Sequence, residues 1–314
     1  MTTDKRNYFS IILIIALVSL SFTAILIKIS TAEISPNATI FHRLWIATLV
    51  LGLWEIWDSF RSTNKKDSHA IRKKLGSKQL STKQLGLMFI VAFTSTASVV
   101  CWAWSLTQTN VANSTILRNF TPLFTSLGSW LFLNIKFERQ FIIGMLIALF
   151  GIVTIGWSDL QIGGDHLLGD VLAISSAFLY AIYLLSVEKL QTILDTRTIL
   201  IWRCALGAML IAPLVIFSKE TIFPQTTTGW MILILLAVVC QIVGQGLLIV
   251  SLKQFSSGLI AVLLLLQPGL TALLAWGLFD EQVSLFNAIA FMLVMIGIYL
   301  AQASDHHIET ASPK

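Results

Sequence analysis

One arginine lies among hydroxyl and amide side chains deep inside an apolar stretch of the sequence. Arg118 is seven residues into the run 111–134, about 10 Å along a helix that rises about 1.5 Å per residue. Ser114 is one helical turn away, and Asn113 and Asn119 are close in sequence. A guanidinium group is costly at membrane depth and binds carboxylates through two parallel hydrogen bonds. These residues predict a binding site for an anionic solute; the alternative is that Arg118 pairs with a carbonyl group and only supports packing.

A proline follows one helical turn after this arginine. Pro122 cannot donate a backbone hydrogen bond, so the carbonyl group four residues earlier needs another partner. Irregular backbone is tolerated at membrane depth only where protein or a water-filled cavity surrounds it. Arg118 and Pro122 together therefore predict a polar cavity inside the membrane part of the protein.

Amide and aromatic side chains in other apolar runs are candidates for the wall of this cavity. Gln241 and Gln245 share one helix face, where they either line the cavity or form hydrogen bonds between helices. The pairs Trp102 with Trp104 and Tyr180 with Tyr183 either form an aromatic wall or pack in the core. The predicted substrate-binding residues are Arg118, Asn119, Asn113, Ser114, Gln241, Gln245, Trp104 and Tyr180.

Two more arginines lie near the ends of apolar runs. Arg43 and Arg203 occupy matching places in the two halves of the sequence, which suits structural anchoring or a gate-closing ion pair better than contact with the solute. The residues predicted to act in gating or structure are Arg43, Arg203, Pro122, Pro268 and Glu281.

The elements that must position these residues are predicted to be ten transmembrane helices. Hydrophobic residues make up 56% of the chain and charged residues only 12%, with a mean hydropathy of +0.81, whereas a soluble domain carries roughly 25% charge. A helix needs about 20 apolar residues to cross the hydrocarbon core. The predicted spans are 9–29, 38–57, 85–106, 111–134, 141–157, 169–187, 197–217, 229–250, 256–279 and 285–302.

The distribution of positive charge predicts the orientation of these spans. With the N-terminus in the cytoplasm, 16 of the 21 Lys and Arg residues fall in cytoplasmic segments and only Lys219 falls in an opposite loop. Cytoplasmic loops of membrane proteins carry such an excess. Both termini are therefore predicted to be cytoplasmic. The basic loop 59–83 is interpreted as a solvated tether near anionic lipid headgroups, with a regulatory docking segment as the alternative.

An internal repeat divides the chain into two groups of five spans. A shift of 146 residues aligns 105–132 with 251–278 and pairs Pro122 with Pro268, and a shift of 160 residues pairs Arg43 with Arg203. An odd number of spans per repeat inverts the second copy in the bilayer, an arrangement typical of secondary transporters. The predicted repeats are 1–157 and 158–302, followed by a cytoplasmic tail at 303–314.

These residues also carry a family resemblance. The mid-helix Pro268, the aromatic-rich run that follows it, the segment Asp280–Gln282 and a closing Gly-containing span resemble the EamA-type family of the drug/metabolite transporter superfamily over essentially the whole chain. The resemblance implies a ten-helix carrier with a central cavity that exports or exchanges metabolites such as amino acids. The family's Glu after the proline is matched by Glu281, but Ile135 stands at that place in the first half.

Together these features predict a secondary transporter, and not an enzyme, that exports or exchanges an amino acid or other carboxylate-bearing solute. The alternatives are an intramembrane enzyme acting on a lipid-linked substrate and a transporter of nucleotide-linked or phosphorylated metabolites. The sequence lacks the motif for ATP binding and the H-E-x-x-H motif, so no cofactor, metal, ATP or nucleic acid is expected. The expected partners are a small solute and membrane lipids, with the chain a monomer or homodimer in a prokaryotic plasma membrane.

Overall fold

A computed structural model of the 314-residue chain describes residues 3–61, 81–109, 111–155, 166–217, 221–279 and 285–308. Within these ranges every regular element is a helix. The α-helices are α1 Thr3–Ser30, α2 Pro36–Arg61, α3 Thr82–Gln108, α4 Val111–Arg118, α5 Thr121–Leu133, α6 Arg139–Ile155, α7 Leu167–Gln191, α8 Thr196–Phe217, α9 Thr227–Leu235, α10 Gln245–Ser251, α11 Ser257–Leu263, α12 Leu266–Phe279 and α13 Leu285–Ile308. A π-helical segment, Leu236–Gly244, joins α9 to α10.

The helices confirm an all-helical membrane protein. Among the described residues, six helical stretches are long and apolar enough to cross a bilayer: Tyr8–Ser30, Pro36–Asp58, Thr82–Gln108, Leu167–Gln191, Thr196–Phe217 and Thr227–Ser251. Two of the other four predicted spans, 111–134 and 256–279, are interrupted helices. In the remaining two, α6 and α13, the apolar stretches Arg139–Thr154 and Ile289–Ser304 are shorter. The count of ten spans therefore stays a prediction.

Two of the predicted spans are interrupted, and each interruption lies two to four residues before a proline. The run 111–134 consists of α4 and α5, with a turn at Asn119 and Phe120. A matching turn separates α11 from α12 before Pro268. Because proline removes a backbone donor and its ring crowds the carbonyl group four residues earlier, it kinks or breaks an α-helix; both of these helices are broken, whereas α8 continues through Pro213. The freed carbonyl group of Arg118 accepts a hydrogen bond from Thr121 Oγ1 at 2.8 Å.

The main contacts run between the first six helices and the last seven. α3 packs along α7, and α1 packs along the π-helical segment and α10. α2 packs against α8, and α6 packs along α13. The two interrupted helices also meet, since α5 contacts α11. The core is therefore built between the two halves of the chain rather than within each half.

α6 and α13 approach each other closely because small residues face each other along their contact. A Cβ atom built on Gly144 would lie 2.5 Å from the carbonyl oxygen of Gly297 and from the amide nitrogen of Ala301. Gly151 is similarly close to the backbone of Ala290. Small residues at such positions allow two backbones in a membrane to pack closely, which increases their van der Waals contact.

Replacing Gly297 with alanine is expected to lower the free energy of unfolding by about 1–3 kcal/mol, because the added methyl group meets backbone that cannot move aside. Its Cβ would lie 2.5 Å from the carbonyl oxygen of Gly144. Gly52→Ala is the matched control, since a Cβ there meets no atom within 4 Å. Thermal unfolding in detergent measures the effect: Gly297→Ala should melt below wild type, and Gly52→Ala at or above it. Equal midpoints for the two variants would contradict the close helix contact.

A cationic cavity between the two halves of the chain

A cavity of about 800 Å³ lies between the two halves of the chain. Its wall is formed by α1 to α5 on one side and by α7, α8, the π-helical segment, α10, α11 and α12 on the other. A volume of this size suits a small metabolite. Both helix interruptions lie on the wall, so the irregular backbone faces a cavity and not lipid, as the low polarity of hydrocarbon requires.

The cavity is open at one end and closed at the other. Exposed residues of α1, namely Ala24, Lys28 and Ile29, form a mouth. The opposite end is closed by a fully buried floor layer from α7, α10 and α11, consisting of Val187, Leu190, Ile249 and Ile260. There the carboxylate of Glu188 accepts a hydrogen bond from the backbone N–H of Ser257 at 3.2 Å, which ties α7 to the start of α11.

Arg118 is the last residue of α4 and lines the cavity. Its Cζ atom lies 4.3 Å from the ring centroid of Trp102 and 5.7 Å from that of Tyr180. Its Nη1 donates to Ser176 Oγ at 3.2 Å. The negative faces of the rings and the helix C-terminus both stabilise the cation, but neither neutralises its charge.

Arg43 and Arg203 face the same cavity from α2 and α8. Arg43 Nε donates to Gln241 Oε1 at 2.8 Å, and Gln241 Nε2 in turn donates to Cys204 Sγ at 3.3 Å. Arg203 is only 5% exposed, and its Cζ lies 4.8 Å from the ring centroid of Tyr183. The Nε and Nη1 atoms of Arg203 are buried without a hydrogen-bond partner among the described residues.

The wall of the cavity carries positive charge that no carboxylate balances. Lys28, Arg43, Arg118 and Arg203 all line it, and no Asp or Glu is among the lining residues that the structure describes. In the same ranges, no carboxylate lies within ion-pair distance of the three arginines. No group of three or more His, Cys, Asp or Glu side chains there is arranged to hold a metal ion. The arrangement can therefore bind anions, but the described residues do not form a metal centre.

The structure brings together five of the eight predicted substrate-binding residues. Arg118, Asn119, Gln241, Gln245 and Tyr180 line the cavity. The predicted gating or structural residues Arg43, Arg203, Pro122 and Pro268 line it too. Glu281 lies outside the described residues. These positions do not test the predicted roles, which stay predictions.

Three of the predicted residues lie away from the cavity wall. Ser114 is buried and accepts a hydrogen bond from Ser105 Oγ at 2.8 Å. Asn113 donates to Asp170 Oδ1 at 3.4 Å. Trp104 is 45% exposed and points away from the wall that Trp102 lines, because residues two apart on a helix differ by about 200°.

Sequence reasoning did not single out three of the residues that shape the site. The sequence offers Trp102 and Trp104 together as candidates for an aromatic wall and shows no sign of which of the two faces inward. Lys28 lies in an apolar run near its end, where a lysine commonly reaches the membrane surface. Ser176 is an ordinary hydroxyl residue in a long helix, and only the fold reveals its contact with Arg118.

Comparison with known proteins gives consistent matches along the chain. The profile of the EamA-like transporter family matches residues 8–157 and again residues 167–302. An uncharacterized transporter of Archaeoglobus fulgidus is 26% identical over 291 residues, which cover 90% of this chain and 93% of that protein. A riboflavin transporter of Vibrio cholerae is 28% identical over 168 residues, which cover 52% of this chain and 53% of that protein. One protein of known crystal structure, 16% identical, has a TM-score of 0.78 and covers 96% of this chain and 99% of its own, so it shares the fold.

The open mouth and closed floor predict different accessibilities for cysteines placed at the two ends. In a chain whose three native cysteines are replaced by alanine, Lys28→Cys should react with a water-soluble maleimide at least about tenfold faster than Ser257→Cys, because only an exposed thiol is readily attacked. Ser257 is fully buried, whereas Lys28 is exposed. The reaction rates in detergent are followed by the mass of the labelled protein. Equal rates would contradict a cavity closed at the Ser257 end.

Proposed function

Because the chain belongs to the EamA-like transporter family, we propose that it is a secondary carrier that exports or exchanges a small carboxylate-bearing metabolite. The family and the transporter names of its relatives make it an integral, multi-pass membrane transporter and not an enzyme. The identity of the solute goes beyond these comparisons and is argued from the cavity.

The charge of the cavity wall is the observation that carries the proposal. Arg43, Arg118 and Arg203 are held at membrane depth without carboxylate partners in the described part of the chain. A buried ion without a counter-ion costs on the order of several kcal/mol of desolvation free energy, and a carboxylate-bearing solute would offset that cost. A carboxylate forms charge-assisted hydrogen bonds with guanidinium groups, frequently two in parallel.

We propose ten spans in two inverted repeats, with boundaries at 1–157 and 158–302. The family profile matches the chain twice, at 8–157 and 167–302, which supports two copies of one unit. The contact of α3 with α7 corresponds, when the halves are exchanged, to that of α1 with the π-helical segment. Residues equivalent by the sequence shifts line the cavity together: Leu20 and Tyr180, Arg43 and Arg203, Ser95 and Gln241, Val99 and Gln245, Thr115 and Ala261, Arg118 and Leu264, Asn119 and Leu265, Thr121 and Gln267, Pro122 and Pro268.

This symmetry supports transport by alternating access. Glu188 ties the closed floor to the backbone of Ser257, and its equivalent at the mouth by the shift of 160 residues is Lys28, which is exposed. Two halves of near-equal construction can exchange these conformations, so the floor opens as the mouth closes.

We place the carrier in a prokaryotic plasma membrane with both termini in the cytoplasm. The excess of Lys and Arg in one set of loops supports this orientation, and the relatives come from an archaeon and from bacteria. The mouth then opens to the outside in this conformation, because α1 ends there. The proposed partners are the solute and membrane lipids, with no ATP or nucleic acid, for a chain that is a monomer or homodimer.

Replacing Arg118 with glutamine is expected to reduce uptake of carboxylate-bearing solutes by about tenfold or more, because a charge-assisted hydrogen bond to a charged group contributes about 1.5–3 kcal/mol. The measurement is the flux of labelled amino acids, organic acids, amines and riboflavin into proteoliposomes at concentrations below saturation. Arg197→Gln is the matched control, since this exposed arginine pairs with Asp58 at 3.2 Å, outside the cavity.

Two outcomes of this flux assay would overturn the proposal in different places. If carboxylate flux is unchanged in Arg118→Gln, Arg118 does not bind the solute, although the protein is still a carrier. Flux of amines or of riboflavin, with none of any carboxylate, would show that the charge of the wall does not select the solute. Riboflavin is included because one relative is named as its transporter.

The uncompensated charge also predicts exchange rather than uniport. Closing the cavity without a solute leaves the guanidinium groups desolvated and without a counter-ion, at a cost on the order of several kcal/mol. The loaded carrier should therefore change conformation faster than the empty one. Uptake of a labelled carboxylate should be at least about tenfold faster into vesicles preloaded with the same unlabelled anion than into empty vesicles. Equal initial rates would show uniport and contradict this prediction.

A further inference from the structure

Building on the proposed function, we infer that Arg203 is a second anion-binding residue of the cavity and that the transported solute carries two anionic groups. One group is bound at Arg118 on the first half of the chain, and the other at Arg203 on the second half. This inference assigns Arg203 a role in binding, whereas its place in the sequence suggested an anchor or a gate.

The contacts of Arg203 favour a bound anion over a structural role. The side chain is 95% buried, yet its Nε and Nη1 atoms have no hydrogen-bond partner among the described residues. Leaving buried donors unpaired costs free energy, and a residue that serves as an anchor would have those donors satisfied. The side chain lines the cavity, so a solute there can accept both hydrogen bonds.

Comparison with the equivalent arginine shows what Arg203 lacks. Arg43 donates to the amide oxygen of Gln241 at 2.8 Å. By the shift of 146 residues, the residue of the first half that is equivalent to Gln241 is Ser95, which also lines the cavity. The hydroxyl group of Ser95 donates to the carbonyl oxygen of Ala92 at 3.1 Å, and Arg203 is left without the partner that Arg43 has.

The positions of the two arginines suit a solute with two separate charges. Arg118 lies beside the ring of Tyr180 and Arg203 beside that of Tyr183, and the two ring centroids are 5.3 Å apart on one face of α7. Each guanidinium group can bind one carboxylate or phosphate through its planar set of donors. Either a dicarboxylate or a carboxylate that also bears a phosphate ester has this chemistry.

The charge of the cavity wall also supports a solute with two anionic groups, without reference to the unpaired donors of Arg203. Four cationic side chains line the cavity, and the described lining residues include no acid. A solute with one negative charge balances one of these cations, whereas a dianion balances two and connects the two halves of the protein. We therefore expect a dianion to bind more tightly than a monoanion of the same size.

The test compares solutes that differ by one anionic group. Competition by succinate and by its monomethyl ester, and by 3-phosphoglycerate and glycerate, is measured against labelled succinate uptake in proteoliposomes. Wild type and the surface control Arg197→Gln should prefer the member with two anionic groups in at least one pair by about tenfold or more. Arg203→Gln should reduce that preference to within about twofold while the monoanion still competes, and Arg118→Gln should weaken both members of a pair.

Thermal unfolding of Arg203→Gln distinguishes binding from a structural role. Because two donors of Arg203 are unpaired, its removal should leave the melting midpoint of the solute-free protein unchanged or raised, whereas loss of an anchor would lower it. Arg203→Lys, which keeps the charge but loses the planar set of donors, should retain an intermediate preference.

Each result points to one conclusion. A wild-type carrier that transports carboxylates without preferring succinate or 3-phosphoglycerate over its monoanionic counterpart would overturn the inference and leave the proposed function intact. A preference that survives in Arg203→Gln would place the second anionic group elsewhere and also overturn it. The absence of any carboxylate flux in the folded wild type would overturn the proposed function, and this inference with it. The pair that shows the preference distinguishes a second carboxylate from a phosphate ester.

Discussion

Backbone N–H and C=O groups cannot be left unpaired in hydrocarbon, and this constraint shapes the central part of the protein. Pro122 and Pro268 each interrupt a helix at membrane depth, so each interruption needs shelter from lipid. The protein provides it by packing α5 against α11 and by surrounding both breaks with helices from the two halves. The space between the breaks is the cavity, which is polar enough to hold arginine side chains that lipid would exclude.

The two halves share their scaffold but not their chemistry. The sequence shifts pair Pro122 with Pro268 and Arg43 with Arg203, and all four residues line the cavity. Leu264 stands where the first half has Arg118, and Ser95 stands where the second half has Gln241. The first difference concentrates positive charge on one broken helix, and the second leaves one of the two equivalent arginines unpaired. The two halves of the chain therefore contribute unequal charge and unequal hydrogen bonding to one cavity wall.

The sequence predicted the helical membrane fold, irregular backbone at Pro122 and a polar cavity at Arg118, because these follow from hydrophobic run length, proline chemistry and the cost of a charge at depth. It did not predict the turn before Pro268, since the apolar run 256–279 carries no ionisable residue that would need a cavity. It could not rank Trp102 above Trp104, since the orientation of α3 depends on what packs around it. No residue pattern in Leu236–Gly244 predicts its π-helical form. The unpaired donors of Arg203 were equally hidden, because a missing partner is a property of the assembled wall and not of any one segment.

The position of these arginines ties the proposed solute to the movement of the protein. Arg118 belongs to the first half of the chain and Arg203 to the second, and both face one cavity. In an empty cavity their like charges repel, and the repulsion strengthens as water is removed because the effective dielectric constant falls. A dianion between them reverses the sign of this interaction and draws the two halves together. The same contacts that select the solute would then also favour closure around it, so that selection and conformational change depend on one set of charges.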